Sequence, residues 1–236
     1  MKLYICEDIR TAKWRKNITE IEDKLLSLAF VKKCICDFIG EKERVINIVF
    51  SKNQYGKPSV ESIYKINPQN KSIKIKIDIS LFFSLSHSEN MMICAVACFN
   101  IGADCQKRNI ENIDSCKKIA DRFYSKKENI FLDSLLDSSN PEKSDKDIKN
   151  KEQTYINNFF RIWTKKEAYI KYTGKGLSEG LKNFSVTSET RQKSYHGNVY
   201  LKKIPLVNSK KFGNNKFYVY LCYNKENKNT WQVKYL

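Results

Sequence analysis

The sequence predicts an α+β fold of two similar lobes, each a helix packed on an antiparallel sheet. Two observations carry this. Helical periodicity followed by strand-like alternation occurs before about residue 100 and again after it. The 41% hydrophobic content of the 236 residues suits either one larger domain or two compact lobes sharing an interface. The expected boundaries are 1–100 for the first lobe and 101–236 for the second.

In 19–39, Leu25, Leu28, Ala29, Ile35 and Phe38 or Ile39 recur near a 3.6 period behind Thr19 as amino-terminal cap, which predicts a helix. Strict alternation over 73–81, preceded by 63–66 and the turn residues 67–70, predicts a hairpin with one wet face, its lysines guarding an exposed edge in preference to a binding role. The apolar run 91–99 reads as a buried strand and 101–105 as a second short one. Residues 113–133 read as a helix, 137–153 as a polar surface loop, and 155–172 as a helix stopped by Gly174. Antiparallel strands are expected at 184–187, 199–204, 217–223 and 231–235.

The longest apolar run is half a membrane span, and Glu7 and Asp8 interrupt the amino terminus, so neither a span nor a signal peptide is expected. Eight cysteines lack CxxC spacing and read as reduced thiols of a cytoplasmic protein. The formal charge of +17 favours polyanions, phosphorylated cofactors or acidic proteins, although a general Lys and Asn bias, as in 208–216, also accounts for it. With 13 Tyr and 13 Phe, a basic nucleic-acid-binding protein is the competing class, but no recognisable reader motif accompanies them.

In the predicted helix 155–172, Phe159, Phe160, Trp163 and Ile170 mark the inward face, and Glu167 falls on it. A buried unpaired charge is costly, so this glutamate pairs with a cation or binds a metal; the helix alone leaves both readings open. Asp104 follows an apolar strand in Ile101-Gly102-Ala103-Asp104-Cys105-Gln106. On an extended segment Gly102, Asp104 and Gln106 share one face and Ala103 and Cys105 the other, although a lone aspartate so placed is more often a turn or cap residue. Two inward carboxylates near cations suit magnesium, which takes few carboxylates and completes its shell with water and phosphate oxygens. Ser84-Leu85-Ser86-His87-Ser88 offers hydroxyls and an imidazole to a phosphate. A Ser86–His87 nucleophilic pair is disfavoured, because neighbours on an extended chain face opposite ways. Tyr55-Gly56-Lys57-Pro58 presents a lysine on a turn and lacks the P-loop frame.

In order, these segments, with Trp163-Thr164-Lys165-Lys166-Glu167-Ala168-Tyr169-Ile170-Lys171 and Gly174-Lys175-Gly176-Leu177, resemble the motif series of the 4′-phosphopantetheinyl transferases of the larger, surfactin-synthetase-activating type. Each motif alone is weak; four in the right order are hard to produce by chance. The resemblance implies a pseudo-dimer of two lobes with coenzyme A in the cleft between them and Mg2+ as cofactor. It implies transfer of the 4′-phosphopantetheine arm to a serine of an acyl- or peptidyl-carrier protein, releasing adenosine 3′,5′-bisphosphate. By position, Asp104 and Glu167 match the metal carboxylates of the catalytic centre, and Lys171 a catalytic lysine on the pyrophosphate. Lys57, Ser86 and His87 match positions near the nucleotide and its 3′-phosphate. The implied carrier contacts are 113–133 and the segment after Lys171, and a monomer is expected because two lobes in one chain already contain the cleft.

Three departures stand out. The family's usual glutamate two residues after the aspartate is Gln106, whose amide oxygen is a metal ligand or holder of a metal-bound water without charge; an inactive member that only binds coenzyme A or carrier is therefore a further alternative. The amino-terminal basic segment is short, with Arg10, Lys13, Arg15 and Lys16 as its candidates. The stretch between Lys57 and Ser84 is longer than usual and holds the Ile-Lys hairpin.

Overall fold

The computed structural model describes residues 1–7, 19–109, 112–137, 144–187, 192–194, 197–206, 217–227 and 232–236. Within them the fold is mixed α+β. Strand β1 (Lys2–Glu7), helix α1 (Glu20–Ile39), and strands β2 (Ile46–Lys52), β3 (Pro58–Ile66), β4 (Lys74–Ile77), β5 (Phe82–Ser88) and β6 (Met91–Ala97) precede β7 (Ile101–Lys107). Helices α2 (Ile113–Phe123), α3 (Lys126–Ser134) and α4 (Asp145–Thr173) follow, then β8 (Gln192–Ser194), β9 (Gly197–Lys203), β10 (Phe217–Asn224) and β11 (Gln232–Tyr235). The sheets have the orders β11-β1-β6-β5, β7-β10-β9-β8 and β2-β3-β4.

Side-chain alternation decides what each sheet face meets. Leu3, Ile5, Met91 and Ile93 of β1 and β6 join Ala103, Cys105, Val219 and Leu221 of β7 and β10 in one core between the two four-stranded sheets. Tyr4, Met92, Cys94 and Val96 turn the other way, onto Val31, Cys34 and Ile35 of α1. On the far face of the second sheet, Tyr218, Tyr220 and Cys222 pack with Tyr155, Phe159 and Phe160 of α4. Helix, sheet, sheet and helix are thus stacked, and β6 is buried at every position, which is why it reads as a continuous apolar run.

Several expectations are met. Thr19 caps α1 in a capping box, accepting from Glu22 N at 3.3 Å while Glu22 Oε2 accepts from Thr19 N at 2.8 Å. The hairpin forms with Ile63 opposite Ile77 and Ile66 opposite Lys74. It stops at Ile77 instead of residue 81, because Ile79 N turns back to Ile77 O at 3.1 Å. All eight cysteines are free thiols. Among the described residues no helix is long and apolar enough to cross a membrane.

Other expectations are corrected. The helix over 113–133 is two helices: Tyr124 is extended with ψ 152°, and Ser125 opens α3 in a second capping box with Glu128. The polar 137–153 stretch is helical from Asp145, with Ser144 as cap and Asp145 and Asp147 placed where negative charge suits a helix start. Its solvated turns carry almost no apolar signal; residues 138–143 lie outside the described residues. Residues 184–187 join no sheet. Strand β11 runs parallel to β1, with Lys2 opposite Gln232, not antiparallel as expected, so the chain returns from the second sheet to extend the first. Trp231, Arg10, Lys13, Arg15, Lys16 and 208–216 lie outside the described residues. Strands β1, β2 and β5 were not anticipated.

Candidate active site

The site grows from one close contact. A Cβ on Gly102 would lie 2.0 Å from Ala168 O and 2.5 Å from Tyr172 N, so β7 meets α4 backbone to backbone. The next residue on that strand face is Asp104, and one helical turn separates Glu167 from Lys171 on the facing helix. All three line one cavity.

Asp104 is 4% exposed, and its two oxygens differ. Oδ1 accepts from Lys171 Nζ and from Ser86 Oγ, each at 2.6 Å. Oδ2 is buried without a hydrogen-bond partner. Burial, and then the charge of Asp104, push the Glu167 carboxyl above the ordinary carboxylate range, with Lys171 partly offsetting them. Burial opposes the Lys171 charge, but Asp104 and Glu167 outweigh it and hold the ammonium above the ordinary lysine range.

Ser86 belongs to a serine ladder. Strands β5 and β7 run side by side, and instead of pairing backbones they are joined by alternate side chains. Ser84 Oγ accepts from Ala103 N at 2.8 Å, Ser86 Oγ from Cys105 N at 3.4 Å, and Ser88 Oγ from Lys107 N at 2.9 Å. His87, on the opposite pleat, is exposed and faces the same cavity as Asp104. Gln106 lines it too, its Nε2 donating to Lys107 O at 3.3 Å.

Lys57 reaches the site from the turn between β2 and β3 of the three-stranded sheet. Asn53 Oδ1 accepts from Tyr55 N and Lys57 N and shapes their turn, while Asn53 Nδ2 donates to Gly174 O at 2.8 Å. Gly174 ends α4 at φ 73°. Lys57 Nζ donates to Asn100 Oδ1 at 3.3 Å, with Tyr172 O at 3.5 Å, and Asn100 Nδ2 donates to Tyr172 O at 2.9 Å. Lys57 thus caps the negative end of α4, and burial lowers its pKa to about 8.

Two cavities share a wall at Leu85, Glu167 and Lys171. One, of about 330 Å³, gathers Ser86, His87, Asp104, Gln106, Glu167 and Lys171. The other, of about 520 Å³, is mostly apolar, with Tyr55, Pro58, Phe83, Ile170 and Leu177 around the Lys57 stem. Lys57, Ser86, His87, Asp104, Gln106, Glu167 and Lys171 therefore each lie in one of two adjoining spaces.

Sequence reasoning missed the ion pair beside the site. Lys166 and Glu128 are both 0% exposed and 2.8 Å apart. Lys166 Nζ also donates to Leu181 O and Phe184 O, each at 2.7 Å, and Glu128 Oε1 accepts from Val186 N at 2.7 Å. The available signal was a lysine pair inside an apolar helix face; the Glu128 side reads only as a capping box. Lys166, one residue before Glu167, thus forms a buried ion pair of its own with Glu128.

Among the described residues no group of three or more His, Cys, Asp and Glu is placed to hold a metal. Magnesium needs fewer: one or two carboxylates, with water and phosphate oxygens in the remaining positions. The buried, unpartnered Asp104 Oδ2 beside a second carboxylate is an acceptor set that a hard divalent cation fits.

The family described as the 4′-phosphopantetheinyl transferase superfamily matches residues 100–222, more than half of the chain, from the β7 approach to β10. The chain is similar to the 4′-phosphopantetheinyl transferase gsp of Aneurinibacillus migulanus, 28% identical over 176 residues, 75% of this chain and 58% of the relative. It is 34% identical over 140 residues to the 4′-phosphopantetheinyl transferase Sfp of Bacillus subtilis (strain 168), 59% of this chain and 47% of the relative. Against the 4′-phosphopantetheinyl transferase psf-1 of Bacillus pumilus the identity is 34% over 131 residues, 56% and 48% of the two chains. The chain spans about half the length of these curated relatives. With the matched region carrying Asp104, Glu167 and Lys171 on one cavity, the chain belongs to the 4′-phosphopantetheinyl transferase superfamily.

Proposed function

We propose that this protein transfers the 4′-phosphopantetheine arm of coenzyme A to a serine of an acyl- or peptidyl-carrier protein, with Mg2+ as cofactor. The observation that carries the reading is the asymmetric Asp104, with Oδ1 saturated and Oδ2 buried and open, next to a raised Glu167 and a charged Lys171. The relatives' names supply the reaction, and the stacked helix-sheet-sheet-helix order supports a pseudo-dimer of two lobes divided near residue 100, with β11 crossing back to complete the first sheet.

In this reading Asp104 and Glu167 would hold Mg2+, with the neutral Gln106 on the same cavity. When bound, the ion neutralises pyrophosphate charge. The chain's own groups do the rest. Lys171, held protonated by the two carboxylates, faces the pyrophosphate and balances charge on the departing adenosine 3′,5′-bisphosphate. Glu167 lines the same cavity and would take the carrier serine's proton as the serine oxygen attacks the pantetheine-side phosphorus. The larger cavity, apolar with Lys57 at its edge, suits the nucleotide end, and His87 its 3′-phosphate. The carrier would meet α2, α3 and the segment after Lys171.

The test is mass spectrometry of apo carrier proteins after incubation with the protein, coenzyme A and Mg2+. Carrier heavier by one phosphopantetheine, with loss of transfer on chelation, supports the reading. Coenzyme A binding without transfer to any carrier tried would favour the inactive member that Gln106 suggests.

A further inference from the structure

We propose that Ser86 is a positioning residue for Asp104 and not a coenzyme ligand. The proposal rests on the metal reading of Asp104 given above. Ser86 is 6% exposed. A hydroxyl has one proton to give, and that proton goes to Asp104 Oδ1 at 2.6 Å. The Ser86 oxygen also accepts from Cys105 N at 3.4 Å, so it is tied to the β7 backbone next to the carboxylate. A phosphate accepts only, so Ser86 would have to surrender Asp104 to bind one.

The bond also decides which carboxylate oxygen is left over. Ser86 and Lys171 together fill Oδ1. Oδ2 is thereby aimed, buried and unpartnered. Without Ser86, Lys171 alone holds the group and the carboxylate is free to rotate, because a flexible amine fixes no plane. Removing a hydrogen-bond partner of a metal-binding carboxylate typically weakens metal binding by about 10- to 100-fold.

The experiment titrates Mn2+, a magnetic substitute for Mg2+, by electron paramagnetic resonance with saturating coenzyme A and no carrier, so that nothing turns over. Coenzyme A affinity is measured separately in chelator. Ser86→Ala should raise the Mn2+ dissociation constant at least tenfold while leaving metal-free coenzyme A affinity unchanged. Ser86→Thr, which keeps the hydroxyl, should restore most of the Mn2+ affinity. Ser88→Ala removes a ladder bond of the same kind without touching a carboxylate and should leave the Mn2+ titration as in wild type. An unchanged Mn2+ titration for Ser86→Ala overturns the proposal, as does an equal weakening by Ser88→Ala, which would assign the effect to the ladder. A drop in metal-free affinity for coenzyme A but not for dephospho-coenzyme A also overturns it, in favour of a phosphate ligand. A wild type that binds no Mn2+ overturns the metal reading along with it.

Discussion

Gly102→Ala tests whether the contact between β7 and α4 sets the carboxylate geometry. The added Cβ would sit 2.0 Å from Ala168 O, 2.5 Å from Tyr172 N and 2.9 Å from Tyr172 Cα, all backbone atoms that no rotamer change can move. A carbon–oxygen contact needs about 3.3 Å, so helix and strand must part by roughly 1 Å. Overpacking of this kind costs about 1–3 kcal/mol of stability. Asp104 lies two residues along the strand, and Glu167 is next to Ala168, so most of that displacement reaches the carboxylates. A misplacement of about 1 Å costs on the order of a hundredfold in rate. Thermal unfolding should fall by a few degrees, and single-turnover transfer to a carrier should drop far more than stability alone explains. Wild-type transfer with an unchanged melting temperature would refute the reasoning, since the strand would then have found room without moving its acid.

Glu167→Ala should abolish transfer with no loss of melting temperature, because the folded state already disfavours this charge by burial and by Asp104; unfolding of the variant would restore the ion-pair reading. Gln106→Glu adds a third carboxylate on the Asp104 face and should lower the Mg2+ concentration for half-maximal transfer; coincident titrations would place Gln106 outside the metal's reach. Glu128→Gln strands a buried ammonium and should cost about 3–5 kcal/mol in urea unfolding. The Asp37 carboxyl is lowered from 3.8 to about 2, first by Lys234 and, against burial, by Tyr4 and Lys2. Its stabilisation is thus present above pH 3.8 and lost as pH falls through about 2, and Asp37→Asn should flatten the melting temperature across that window.

Where the sequence was legible, the reason is local. The α1 cap, the β3–β4 register and the shared face of Gly102, Asp104 and Gln106 follow from neighbouring side chains alone. The chemistry was legible because its residue types are out of place: an acid on an apolar helix face, an acid after an apolar strand. What escaped depends on distant partners. Strand β1 is short, and its pairing with β6 and β11 joins opposite ends of the chain. The ladder of Ser84, Ser86 and Ser88 looks like a phosphate motif until β7 is laid beside it. Asn53 and Asn100, which hold the end of α4, carry no local signal at all.

Three successive positions of α4 show how the fold aims its acid. Lys165, Lys166 and Glu167 are about 100° apart around the helix, so each meets a different neighbour. Lys166 is bound to Glu128 of α3 and to carbonyls of the 181–184 segment. Lys165 reaches Val186 O at 3.3 Å and lies 5.5 Å from the Tyr220 ring of β10. Rolling α4 by a few tens of degrees would break both anchors, and a buried ammonium has no water to turn to. At the helix end, Asn53, Lys57 and Asn100 hold Gly174 O and Tyr172 O against sliding. Rotation and translation are both restrained by polar contacts made away from the two carboxylates. Glu167 therefore keeps its place beside Asp104 in the shared cavity even though burial and like charge both disfavour its ionised form.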